Sequence, residues 1–139
     1  MRARDPLTPL AGFRLVASPA SLDAMTISGS GAGPIVLRVA PDEVLGVFAS
    51  DEGGLGAMSI SDDPDRLFTV DNSWHGVWVE PDAAMDLLER HADWEPPNER
   101  PAFAQGLVAG LPVKVWWSLA RVLFVVPATF GVDFEERVR

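Results

Sequence analysis

His75 and His91 are the chain's only imidazoles, and they share one stretch with Glu80, Asp82 and Glu89. A metal centre or an acid–base pair could draw on these residue types. The spacing suits neither, because the two histidines do not stand at His-x-x-x-His or a similar ligand separation. His91 falls at the end of an expected helix, where it complements the negative end of the helix dipole. Ser118 and the other serines have no base paired with them, so no nucleophile is activated. Cysteine is absent, which removes thiolate chemistry and disulfides together. The glycine-rich stretch SGSGAGP at 28–34 runs into a proline and another strand, whereas a phosphate cradle needs a helix N-terminus. It reads as a loop. The sequence thus predicts no catalytic residue and no metal site.

The tryptophans remain as carriers of function. Trp74 and Trp78 fall on one face of an expected strand and flank Gly76, leaving a slot in which a ligand or partner could stack. Packing of both rings against a helix is the competing reading. Trp116 and Trp117 are adjacent, so on a regular strand they point to opposite faces and one of them faces outward. An outward tryptophan is a candidate interface residue. Asp71 closes a strand. It either orders a turn with Asn72 and Ser73 or offers its carboxylate to adjacent N–H groups of a ligand. Asp93, after the expected helix, either offers its carboxylate to a ligand in the same way or, the stronger reading, is a solvated helix end.

Two strand–strand–helix passages must position these residues. In the first, Arg66–Asn72 and Trp74–Val79 read as a hairpin or bulged pair, followed by a helix over Pro81–Ala92. Pro81 fits the first helical position, and Ala84, Leu87, Leu88 and Ala92 make an apolar stripe. In the second, Phe103–Ala109 is a strand, Gly110-Leu111-Pro112 permits a bend or turn, and Val113–Trp117 continues the strand. Ser118-Leu119-Ala120 reverses the chain into the apolar strand Arg121–Val126, expected to be central. A helix after Pro127 carries Phe130, Phe134 and Val138 on one face. Earlier, Gly12–Ala17 and Leu22–Ser28 are strand candidates joined by a turn at Ser18–Ser21. Pro34–Ala40 and Glu43–Ala49 form a hairpin about Pro41-Asp42. Residues 50–56 read as a further loop, and residues 1–9 as an extended arm.

A chain of 139 residues suits a single domain spanning residues 1–139. The fold class expected is α+β, an antiparallel sheet with two main helices. A net charge of −9, with Lys114 the only lysine, argues against nucleic acid, which needs clustered cations. No apolar run is long enough for a membrane span, and the basic start lacks the apolar stretch of a secretory signal. A cytoplasmic protein is expected.

Several motifs in order resemble the small gamma subunit of heterotetrameric sarcosine oxidase: PLTPLAGF, RVAPDEVLGVF, VDNSWHGVWVEPDAAMDLL, AQGLVAGLPVKVW and VVPATFGVDFEERV. That subunit is similar in turn to the folate-binding domain of glycine cleavage system aminomethyltransferases. In those enzymes an Asp-x-Ser precedes a Gly-Pro-Asp-Ala helix start. Asp71, Ser73 and Pro81-Asp82-Ala83 match it here, with Glu80 in place of the glycine, and Asp93 corresponds to a later aspartate. The resemblance implies an accessory domain without flavin and without catalytic residues of its own. It would work by contact with a protein partner or with itself, as a homo- or hetero-oligomer, through Trp116 and Trp117. The alternative is a small-molecule binder for folate or a related one-carbon carrier, through Asp71, Ser73, Trp74 and Trp78. An aminomethyltransferase-like enzyme ranks last, because that active site uses additional domains.

Overall fold

Alternating apolar residues make strands of much of this chain. The structure, a computed structural model, describes residues 7–24, 26–28, 34–48, 57–59 and 63–139. Within them run β1 (Thr8–Val16), α1 (Pro19–Asp23), β2 (Thr26–Ser28), β3 (Ile35–Ala40), β4 (Glu43–Phe48), β5 (Ala57–Ser59), β6 (Leu67–Val70) and β7 (Trp74–Val79). There follow α2 (Pro81–His91), β8 (Ala102–Val108), β9 (Leu111–Trp117), β10 (Val122–Pro127), a 3-10 turn (Ala128–Phe130) and α3 (Gly131–Arg137). The fold is α+β and, as expected, mostly antiparallel: the strand pairs within each part of the sheet described below all run antiparallel. The chain divides into two compact units, Leu10–Asn72 and Ser73–Arg139, the latter joined by the residues up to Pro9. Most of loops 28–34 and 50–56, and residues 1–6 of the arm, lie outside the described residues.

In the Leu10–Asn72 unit the strands pair in the order β3–β4–β1–β6, and β2 pairs with β5. The β3–β4 hairpin turns at Pro41-Asp42, as its sequence predicts. Phe13, Leu15, Ala17, Leu22 and Val44 form a core here. Phe13 lies opposite Gly46 on β4. A Cβ at Gly46 would come within 2.2 Å of the Phe13 ring, so only glycine leaves room for it.

Ser18–Ser21 departs from expectation: it begins α1 and is not a turn between strands. Ser18 caps the helix by accepting from the Ser21 N–H at 3.2 Å, and Pro19 takes the first turn. Both residues suit a turn and a helix start equally. Leu22 is therefore helical, and the following strand shrinks to Thr26–Ser28. Asp63 holds this corner. Its carboxylate accepts from the Ser18 N–H at 2.7 Å and the Asp65 N–H at 2.9 Å.

In the Ser73–Arg139 unit the order is β7–β10–β9–β8. β10 is central, and Val122–Val126 are all buried. Val122, Phe124 and Val126 face Ala84, Leu87 and Leu88 of α2 and Phe134 and Val138 at α3. Phe124 and Phe134 stand with ring centroids 6.2 Å apart. Two further expectations fail. Arg66–Asn72 does not pair with Trp74–Val79: β6 pairs with β1, and β7 with β10. The bend or turn expected at Gly110-Leu111-Pro112 is a turn, so Val113–Trp117 belongs to a new strand and does not continue β8. The chain reverses at Ala109-Gly110, both with positive φ (54° and 79°), as a type I′ hairpin requires. Pro112 lies in β9 beyond the β9–β10 register, which starts at Lys114, so its missing N–H breaks no central ladder.

Two outcomes follow. Phe134→Ala, which empties a site that is 1% exposed, should lower unfolding free energy by about 3–5 kcal/mol in denaturant titration. The backbone N–H of Ser18, and next that of Asp65, hold the Asp63 carboxyl below its ordinary value of 3.8. A carboxyl depressed by folding stabilises fully above its unfolded value, and that contribution is lost as pH falls through the lower folded value. Asp63→Asn should therefore lower the melting temperature at neutral pH and flatten its decline below about pH 4.

Candidate functional site: an aromatic face with paired cations

Period-two alternation on β7 sets Trp74, Gly76 and Trp78 on one face. The register extends that face across the sheet. Trp78 lies opposite Leu123, Leu123 opposite Trp116, and Trp116 opposite Phe103. The neighbouring row is Gly76, Val125, Lys114 and Gln105. Leu123 and Val125 are buried, while Trp74, Trp78, Trp116 and Phe103 are half-buried.

Each β7 tryptophan meets a cation. Lys114 Nζ stands 4.7 Å from the Trp74 ring centroid, and the Arg121 guanidinium 4.3 Å from that of Trp78. Both lie within cation–π range. A planar ligand stacking on those two ring faces would have to displace a cation. The slot expected at Gly76 is thus flanked by rings that already have partners, and Gly76 itself is buried. Neither cation was selected from sequence. Lys114 and Trp116 share a face by alternation, so half of this signal was present; the pairing with β7 was not.

Trp116 and Trp117 point to opposite faces, as expected. Trp117 is the inward one and is 1% exposed. It packs edge-on to Trp94 at 6.4 Å beneath the Arg100 guanidinium at 5.5 Å. Trp117 is therefore a core residue, which corrects its assignment to an interface and leaves Trp116 as the outer member of the pair. Burial separates them because the α2 and α3 side of the sheet carries the unit's core.

Asp71 follows β6 and is half-buried; its N–H donates to the Gly12 carbonyl at 2.9 Å. Asn72 Oδ1 accepts from the Gly12 N–H at 3.2 Å. Ser73 is exposed, and its carbonyl accepts from the Ala128 N–H at 2.8 Å. Asp93 is exposed after α2. His75 packs where a Cβ on Gly131 would come within 3.0 Å of its Nδ1. Among the described residues, no group of three or more His, Cys, Asp or Glu side chains could hold a metal ion. No described helix is long and apolar enough to cross a membrane.

These units define an antiparallel α+β protein whose most distinctive surface is aromatic and cationic on an acidic chain. No known family and no curated protein matches the sequence. Among solved structures, it is similar to a chain of the heterotetrameric sarcosine oxidase from Corynebacterium sp. U-96, solved in complex with pyrrole 2-carboxylate. The TM-score is 0.70 at 18% identity, covering 97% of this chain and 80% of that one. The likeness is one of fold.

Arg121→Ala, which removes the cation from Trp78, should cost about 0.5–1 kcal/mol of stability and shift tryptophan emission. Unchanged emission in Arg121→Ala would show that the contact is not held in solution.

Proposed function

We propose that this chain is a non-catalytic accessory subunit that acts through protein contact, in the manner of the gamma subunit of heterotetrameric sarcosine oxidase. The observation that carries the reading is the fold match along 97% of the chain to a protein that is itself a hetero-oligomer. The aromatic face supports it. Half-buried tryptophans beside an arginine suit the energetic centre of an interface, because large rings and guanidinium groups contribute most when desolvated. Trp116 is its anchor. The formal net charge of −9 would steer a partner surface that bears arginine or lysine.

The test is native mass measurement of the complex recovered from the protein's own cells. We expect a hetero-oligomer containing oxidase subunits, and its loss in Trp116→Ser with the melting temperature retained. A chain recovered alone, binding folate at micromolar strength that Asp71→Asn abolishes, would replace this reading with that of a one-carbon carrier protein in the cytoplasm.

A further inference from the structure

β8 ends the strand order of the Ser73–Arg139 unit, and no described strand lies along its outer side. Its sequence, Ala-Phe-Ala-Gln-Gly-Leu-Val, holds neither a charge nor a proline. Those are usual means of keeping an edge from pairing with another chain. Pro112 lies opposite Leu107 and has no N–H to give it, so the Leu107 N–H and C=O point away from β9. By the alternation of an antiparallel ladder, Gln105 and Phe103 direct theirs the same way. Leu107 is also 57% exposed.

The connection from α2 to β8 meets this edge. It leaves α2 beside Ala109, whose N–H donates to the His91 carbonyl at 2.8 Å, and enters β8 at Ala102. It therefore travels from one end of β8 to the other. Trp94 is its point of attachment, and the indole Nε1–H donates to the Leu107 carbonyl at 3.0 Å. The ring lies where β8 has glycine: a Cβ on Gly106 would come within 2.6 Å of Nε1. Contact with Trp117 ties the same ring to the core. Pro96, Pro97 and Pro101 follow. They have no N–H, so the connection cannot form a ladder of its own.

We propose that this connection is an edge guard, keyed by Trp94 into the gap at Gly106, that keeps another strand from adding to β8. With the Leu107 carbonyl taken, an incoming strand is left with the Gln105 and Phe103 positions. A ladder of that length is shorter than the strands that ordinarily persist. The guard also accounts for Gly106. Glycine weakens the interior of a strand and marks a place where another group approaches closely, and here that group is the indole. Asp93, Glu95 and Glu99 give the connection the charge that β8 lacks. The inference does not rest on the accessory-subunit reading.

The experiment compares two variants of the full chain with the parent by sedimentation velocity over a concentration series. Trp94→Phe keeps a ring and removes the N–H. Gly106→Ala keeps the indole and pushes it off the Leu107 carbonyl. We expect both to self-associate at concentrations at least about tenfold lower than the parent does. Adding Leu107→Lys, which sets an ammonium group on that edge, should return each variant to the parent's behaviour. The melting temperature of every variant checks that the associating species is folded. No gain in association in either variant overturns the inference. So does association that survives Leu107→Lys, or association that appears only as the fold is lost.

Discussion

Burial of β10 is the constraint on which the Ser73–Arg139 unit depends. Val122 to Val126 is an unbroken apolar run, and all five residues are buried. One side takes the helices, with Phe124 against Phe134. The edges take β7 and β9. Because β10 has neighbours on both sides, it sets the register of everything beside it. Shifting it by one residue would turn its phenylalanine away from the helices. It would also separate Trp78 from the row that contains Trp116. The aromatic face thus inherits its geometry from a strand whose own side chains have no polar function.

The same logic separates three tryptophan environments. Trp117 lies on the helix side and is closed off by Trp94 and Arg100. Trp74 and Trp78 meet cations from β9, the next strand but one, and from the loop before β10. Trp116 lies between Leu123 and Phe103. A chain with many acidic groups and few basic ones has placed Lys114 and Arg121 against rings. A cation over an aromatic face keeps its charge while covering apolar surface.

Much of the fold was legible because its signals are local. Phe130, Phe134 and Val138 recur at helical spacing, and two of them are buried as that spacing demands. Pro41-Asp42 between alternating runs names its own hairpin. The failures occur where one residue type serves two conformations. Ser18-Pro19 opens a turn or a helix equally well, and the choice was made by Asp63, distant in sequence. Ala109 is not a residue that advertises positive φ, so the β8–β9 reversal was hidden. The pairing of β6 and β7 was misjudged because their true neighbours, β1 and β10, are remote along the chain. Likewise the site's aromatic residues were visible, but their cations were not, since Arg121 reaches Trp78 only after β7 and β10 align.

The Ala109-Gly110 reversal joins parts that fold by different rules. The Ala109 N–H donates to the carbonyl of His91, the last residue of α2, and the Ala109 carbonyl accepts from Arg137 at the end of α3. A helix leaves its final carbonyls without internal partners, and here one of them is taken by a hairpin. Two helix ends and a strand reversal therefore share one set of bonds. None can fray by itself without breaking a bond to another. The ends of secondary elements are ordinarily the first places to open. In this unit the Ala109 peptide ties the end of α2, the hairpin tip and the end of α3 to one another.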